Sequence, residues 1–138
     1  MKKRILIIDD NLKDNTEYFC VLWNVHEVDV VGYISSARIK LKQPDRYDLA
    51  VIDIMMPTME ERFDNTQDGL RTGLAYYETE LREMNIPVLF WSWNNEFKDE
   101  IEIKTKNKEW IKTGFLLKTT DHDHLLKGVE DFCEKFNL

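Results

Sequence analysis

The most hydrophobic strand candidate of the chain lies in the stretch Tyr47-Asp48-Leu49-Ala50-Val51-Ile52-Asp53-Ile54-Met55-Met56-Pro57. Its centre is a short, continuous apolar run, which is typical of a strand buried on both faces of a parallel sheet. The run leads into Asp53, and burying a carboxylate after such a strand is costly unless another group compensates its charge. Compensating groups are therefore expected close to Asp53.

Three other apolar runs also end in polar side chains. An acidic pair follows the first run, a hydroxyl follows the second and an ammonium follows the third. These groups are Asp9 and Asp10 after Arg4–Ile8, Ser92 after Pro87–Trp91, and Lys118 after Gly114–Leu117. Together with Asp53 they are the residue types that a phosphoryl-accepting site needs.

Strand and helix patterns alternate along the whole chain. The strands are predicted at Arg4–Ile8, His26–Val31, Leu49–Ile54, Pro87–Trp91 and Phe115–Leu117. The first helix is predicted to start at Asp14, with a capping box to Glu17, and the second to run from Ser35 towards Pro44. The third helix is predicted from an apolar stripe of Leu70, Leu74, Tyr77, Leu81 and Met84. The fourth is predicted over Asn95–Lys104, and the fifth after a cap near Thr120 or Asp121. Five such pairs predict an α/β fold, a doubly wound parallel sheet with helices on both faces. In such sheets the chemistry gathers at the carboxyl ends of the strands.

Composition sets bounds on the function. The 138 residues suit one domain spanning 1–138, and the net charge of −7 argues against a nucleic-acid-binding surface. No apolar run approaches the roughly 18 residues of a membrane span, and the N-terminus has no signal-peptide core, so a cytoplasmic protein is expected. The cysteines, Cys20 and Cys133, are expected to be reduced and buried in helices on the same side of the sheet, which leaves a redox link between them open.

The acidic cluster predicts a metal. Three carboxylates brought together repel one another unless a cation intervenes, and Mg²⁺ prefers oxygen ligands. A metal held by Asp10 and Asp53 leaves positions for a phosphoryl oxygen. Asp53 is then the carboxylate nucleophile, Lys118 a second positive charge and Ser92 a hydroxyl donor.

These motifs resemble the receiver domain of two-component response regulators. The resemblance rests on Ile7-Ile8-Asp9-Asp10, Asp48 to Asp53 with Met56-Pro57, Ser92, and Gly114 to Lys118, in the same order and spacing along nearly the whole chain. It implies a flavodoxin-like (βα)5 fold with strand order 2-1-3-4-5. It also implies phosphorylation of Asp53 by a histidine kinase or phosphotransfer protein, within two-component phosphorelay signalling.

The resemblance further implies particular residue roles. Mg²⁺ would be bound by Asp10, Asp53 and the backbone carbonyl of Met55, and by Asp9 mostly through water. Phe115 would hold the aromatic switch position, which couples inward motion of Ser92 to the surface of the fourth helix, fifth strand and fifth helix. Output is expected through a downstream protein or self-association at that surface, with no direct contact to nucleic acid or membrane.

Four features depart from the family pattern. An insertion of about eight residues, Glu60–Gln67, stands before Asp68-Gly69, and Trp93 stands where the family usually has Ala or Gly. Thr119 replaces the usual proline after Lys118, which puts the usual cis peptide in doubt. Phe115 lacks the hydroxyl of the commoner tyrosine. Trp93 is expected to restrict access to the phosphoryl group and to slow dephosphorylation.

Two alternatives stay open. A haloacid-dehalogenase-like phosphatase also uses an aspartate nucleophile after its first strand with Mg²⁺, but Asp9-Asp10-Asn11-Leu12 breaks that family's Asp-x-Asp pattern. A pseudo-receiver would keep the fold and signal by protein binding alone, and the complete acidic set with Lys118 argues against it. The favoured interpretation is a stand-alone receiver that is phosphorylated and is not an enzyme, with at most slow autodephosphorylation.

Overall fold

The computed structural model describes residues 2–55 and 71–138, in which five strands alternate with five α-helices. The strands are β1 (Arg4–Ile8), β2 (Glu27–Val31), β3 (Leu49–Asp53), β4 (Val88–Ser92) and β5 (Thr113–Leu117). The helices are α1 (Leu12–Trp23), α2 (Ile34–Lys40), α3 (Thr72–Thr79), α4 (Lys98–Lys106) and α5 (His124–Phe136). Three predictions lie outside the described residues: Met56-Pro57, the Glu60–Gln67 insertion, and Leu70 as the first residue of the third helical stripe.

The strands form one parallel sheet in the order β2-β1-β3-β4-β5. This confirms the predicted doubly wound α/β fold and its strand order. In the sheet, Asp53 is level with Trp91 and Ser92 is level with Leu117. The register therefore places the ends of β3, β4 and β5 side by side at the carboxyl edge.

Alternation along each strand divides the core into two apolar layers. One layer takes Leu6, Ile8 and Phe90 and packs beneath α2, α3 and α4. The other takes Ile7 and Trp91 and packs against α1 and α5, which lie on the same side of the sheet as predicted. Successive strand residues point to opposite faces, so the neighbours Phe90 and Trp91 belong to different layers.

The first helix begins earlier than the sequence predicted. It starts at Leu12, with Asn11 at its cap position, and Asp14 lies in the first turn where it accepts a hydrogen bond from the Asn11 side chain at 3.1 Å. The reason is the buried Asp9, whose carboxylate accepts the Asn11 backbone N–H at 2.8 Å and turns the chain directly into the helix. The predicted capping box from Asp14 to Glu17 was therefore wrong.

Other element ends differ from the predictions by a few residues. β4 includes Ser92, β5 begins at Thr113, and a 3-10 turn at Asn95–Phe97 precedes α4. α5 begins at His124 rather than near Thr120, because the carboxylate of Asp121 accepts the backbone N–H of Asp123 at 3.0 Å and holds a turn there instead. In the described part of the chain no peptide bond is cis, which agrees with the doubt raised by Thr119.

The two cysteines differ in their surroundings. Cys133 is buried against the sheet as predicted, but Cys20 is exposed, so the expectation of two buried thiols was wrong for Cys20. It lies on the face of α1 that points away from Tyr18, Phe19 and Leu22, the buried residues of that helix. Of the helices that the structure describes, none is long and apolar enough to cross a bilayer.

Candidate functional site

Five polar residues meet at the carboxyl edge of the sheet. Asp9 and Asp10 follow β1, Asp53 ends β3, Ser92 ends β4 and Lys118 follows β5. Four of them are buried, with Asp53 6% exposed and Lys118 5% exposed, whereas Asp10 is exposed. The structure therefore brings together all the residues that the sequence placed at strand ends.

Lys118 lies between the two buried carboxylates. Its Nζ is 3.3 Å from Asp9 Oδ2 and 3.5 Å from Asp53 Oδ2. Its backbone N–H donates to the carbonyl of Ser92 at 2.8 Å, which continues the β4–β5 ladder one residue beyond the strand. A buried ammonium shared by two carboxylates compensates part of their charge in a place where water cannot.

Asp9 is held on both of its oxygens. Oδ1 accepts the Asn11 backbone N–H at 2.8 Å, and Oδ2 accepts the side-chain amide of Asn15 at 2.9 Å as well as the contact from Lys118. Asn15 is buried and was missed in the sequence. Its signal was its position three, four and seven residues before the buried Tyr18, Phe19 and Leu22, which puts an amide on the buried face of α1.

The negative charge of the buried acidic cluster is only partly compensated by Lys118. Burial raises the pKa of Asp53 to about 7, with a further increase from the Asp9 and Asp10 carboxylates, against which the Lys118 ammonium and the Met55 backbone N–H act. Burial and the neighbouring Asp9 also raise the pKa of Asp10. A cation bound among these groups would return Asp53 to its charged form.

The donor set fits a hard divalent cation. Asp9, Asp10 and Asp53 each offer one carboxylate oxygen, and these oxygens lie within 4.8 Å of one another. All three are oxygen ligands, which is the donor chemistry that favours Mg²⁺ over a soft metal. The Met55 backbone N–H donates to Asp53 Oδ1 at 3.1 Å, so this residue folds back onto the same carboxylate.

Ser92 and the residues after it line the β4 side of the site. The Ser92 hydroxyl oxygen is buried and accepts the Asn94 backbone N–H at 3.1 Å. Trp93 is 55% exposed, so its ring lies at the surface next to the site. Phe115, in β5, is partly buried and packs against the layer beneath α3 and α4, on the opposite side of the sheet from Trp91.

The site also depends on a close backbone approach that the sequence did not reveal. The Gly73 N–H donates to the carbonyl of Ile54 at 2.9 Å. A Cβ at Gly73 would lie 2.5 Å from the carbonyl oxygen of Asp53 and 2.9 Å from the Cα of Ile54. Only glycine lets α3 pass this close to the strand end that carries Asp53.

Solved structures resemble this chain over nearly its whole length, although no protein-family model and no curated protein matches its sequence. The chemotaxis response regulator CheY4 of Vibrio cholerae matches with 20% identity over 96% of this chain and 99% of that one, at a TM-score of 0.65. A response regulator receiver domain protein from Clostridium thermocellum matches with 17% identity over 98% and 97%, at a TM-score of 0.66.

A two-component response regulator from Clostridium difficile matches with 19% identity over 99% of this chain and 100% of that one, at a TM-score of 0.67. At these identities the likeness establishes the fold. The chain therefore has the fold of response regulator receiver domains, which is the fold that the resemblance of its motifs implied.

Proposed function

We propose that this chain is a response regulator receiver that accepts a phosphoryl group on Asp53. The observation that carries the proposal is the placement of the Lys118 ammonium 3.5 Å from Asp53 Oδ2, beside the Asp9 and Asp10 carboxylates. A nucleophilic carboxylate, a fixed cation and an oxygen-donor metal site are the parts that phosphoryl transfer needs, because that reaction is promoted mainly by positioning and charge neutralisation.

In the proposed reaction an oxygen of Asp53 attacks the phosphorus of a phosphohistidine on a histidine kinase or phosphotransfer protein. The new O–P bond forms as the N–P bond breaks, and the imidazole leaves with the electron pair of that bond. Lys118 stabilises the negative charge on the phosphoryl oxygens. The Ser92 hydroxyl, whose oxygen accepts the Asn94 backbone N–H in the present structure, donates a hydrogen bond to one of these oxygens after Ser92 moves inward. Mg²⁺ held by Asp9, Asp10, Asp53 and the Met55 carbonyl would supply the remaining positive charge.

The product is an aspartyl-phosphate, and the protein is a phosphoprotein rather than a turnover enzyme. The phosphoryl group adds nearly two negative charges at one point, which draws Ser92 inward and is sensed at Phe115. Signal output then passes through the surface of α4, β5 and α5 to a protein partner or to a second copy of the chain. We place this activity in the cytoplasm, where two-component phosphotransfer takes place.

The surroundings of Asp9 disfavour the phosphatase alternative. That mechanism needs the first-strand aspartate as nucleophile, but Asp9 is fully buried and both of its oxygens already accept hydrogen bonds. Asp53 is also buried and its Oδ1 accepts the Met55 backbone N–H, but its Oδ2 faces the Lys118 ammonium at 3.5 Å, at the edge of the acidic cluster that includes the exposed Asp10. Asp53 is therefore the better nucleophile of the two.

The test is the intact mass after treatment with acetyl phosphate, with and without Mg²⁺. We expect one added phosphoryl group on the wild type in Mg²⁺, none on Asp53→Asn, and little without the metal. Asp45→Asn removes an exposed carboxylate that precedes the amino end of β3, at the opposite end of the strand from Asp53; it is the matched control and should be labelled like the wild type. Equal labelling of Asp53→Asn and wild type would refute the assignment to Asp53, and a wild type that is not labelled at all would leave protein binding alone as the function.

A further inference from the structure

The ammonium of Lys118 has a third neighbour besides the two carboxylates. Its Nζ lies over the ring of Trp91, 4.4 Å from the ring centroid. Trp91 is in β4 directly before Ser92, level with Asp53 in the sheet, and it is almost completely buried. An ammonium over the face of an indole is attracted by the negative face of the ring, and the attraction is strongest where water is excluded.

The Trp91 ring is itself fixed by α1. Tyr18 and Phe19 meet it edge-on, with centroid distances of 5.5 Å and 6.0 Å. The Tyr18 hydroxyl also donates to the backbone carbonyl of Thr119, the residue after Lys118. The same helix therefore holds both the ring beneath the ammonium and the backbone that carries the lysine.

An indole at this position lowers the stability of the fold unless its aromatic face makes a compensating contact. Its N–H is buried and has no hydrogen-bond partner among the residues that the structure describes, and an unpaired buried donor lowers stability. A smaller aliphatic side chain would fill the strand without leaving such a donor. What the indole adds is an aromatic face under Lys118.

We propose that Trp91 is a positioning residue for Lys118, which keeps the ammonium beside Asp53 for phosphoryl transfer. Asp9 and Asp53 compete for the ammonium, at 3.3 Å and 3.5 Å, and Asp9 is itself held in place by Asn15. The ring gives the ammonium a fixed third contact between them. Without the ring, the Lys118 ammonium would move towards Asp9 and away from Asp53, and the negative charge on the incoming phosphoryl oxygens would be less well neutralised.

Two variants of similar size isolate the aromatic face. Trp91→Phe keeps a ring, although a weaker one than indole, and Trp91→Met keeps a flexible apolar side chain without a ring. Both remove the same order of core volume, so a difference between them reports the ring face rather than the packing. Circular dichroism and urea denaturation of each variant establish that it is folded under the assay conditions.

The chain also offers a matched control. Trp110 is buried, has no hydrogen-bond partner for its N–H among the described residues, and carries the ammonium of Lys104 over its ring at 4.6 Å. It belongs to the layer beneath α3 and α4, away from the acidic cluster. Trp110→Phe therefore repeats the loss of an indole under a lysine at a place where no phosphoryl transfer is proposed.

The first measurement is independent of phosphorylation. NMR of protein labelled on lysine, with the Lys118 signals identified by their loss in Lys118→Met, should show the ε-methylene protons of Lys118 shifted upfield by the indole ring. We expect this shift to shrink in Trp91→Phe, to disappear in Trp91→Met and to persist in Trp110→Phe. Lys118 signals that are the same in Trp91→Met and wild type would overturn the placement.

The second measurement rests on the proposed function and uses the rate of labelling by acetyl phosphate in Mg²⁺. We expect Trp91→Met to be labelled about tenfold more slowly than wild type, Trp91→Phe to be intermediate, and Trp110→Phe to match wild type. A folded Trp91→Met that is labelled at the wild-type rate, or a Trp91→Phe as slow as Trp91→Met, would overturn the positioning role. Failure of the proposed function would look different, because the wild type itself would then not be labelled.

Discussion

Replacing Asp53 by asparagine should make the metal-free protein more stable at neutral and alkaline pH. Burial, together with Asp9 and Asp10, raises the pKa of Asp53 from its ordinary 3.8 to about 7 in the folded chain. Because the folded value lies above the unfolded one, the folded state holds a proton that the unfolded state releases. The stability linked to this group is present below about pH 4 and is lost as the pH rises through about 7.

The magnitude follows from the two values. Each tenfold change in proton affinity is worth about 1.4 kcal/mol, so ionising Asp53 in the folded protein costs about 4 kcal/mol by pH 8. At pH 5 the same linkage gives only about 2 kcal/mol, because the folded carboxyl is still protonated there. The free energy of unfolding of Asp53→Asn relative to wild type should therefore increase by about 2–3 kcal/mol from pH 5 to pH 8.

The assay is urea denaturation followed by circular dichroism in EDTA, at a series of pH values for both proteins. Asp45→Asn is the control, because Asp45 is exposed and its replacement should change stability by no more than about 0.5 kcal/mol at any pH. Mg²⁺ should reduce the advantage of Asp53→Asn at pH 8, since a ligand that binds only the folded wild type stabilises it. A difference between Asp53→Asn and wild type that is the same at pH 5 and pH 8 would refute the electrostatic reasoning.

Three further outcomes are expected. Gly73→Ala would place a Cβ 2.5 Å from a backbone oxygen at the end of β3 and should lower the unfolding free energy by about 1–3 kcal/mol in urea denaturation. Gly32→Ala, with no neighbour closer than 3.6 Å, should be nearly neutral, and equal effects of the two would contradict the reasoning. Asn15→Ala removes a donor from the buried Asp9 and should cost about 1–3 kcal/mol in the same assay, so an unchanged midpoint would argue against that bond's role. Trp93→Ala should lose the phosphoryl group faster than wild type when intact mass is followed over time, and an unchanged rate would show that the ring does not hinder water.

The parts of the site that follow from strand ends were predictable from the sequence. Apolar runs fix the strands, a parallel sheet aligns their carboxyl ends, and Asp53, Ser92 and Lys118 are each within a residue of such an end. No long-range geometry was needed to bring them together. The boundaries of the helices were less predictable. The start of α1, for example, depends on the Asp9 carboxylate, which lies before the helix and accepts the Asn11 backbone N–H.

What the sequence did not reveal depends on contacts between distant elements. Trp91 was expected in the strand Pro87–Trp91, and it lies in β4, but its place beneath Lys118 depends on how α1 and β5 pack together. The close approach of Gly73 depends in the same way on where α3 crosses β3. Cys20 was expected to be buried because its neighbours in sequence are apolar, yet the buried stripe of α1 passes on the other side of the helix.

The unequal exposure of the two thiols allows local opening of the fold to be measured from their rates of chemical modification. Only thiolates react with maleimides or disulfide reagents, so the exposed Cys20 should react at once, whereas burial hides Cys133 and raises its pKa. The reaction of Cys133 then waits for α5 to lift from the sheet, and its slowing relative to Cys20 measures how rarely that opening occurs. A time series of mass spectra after addition of one thiol reagent thus reports local opening in the unmutated chain.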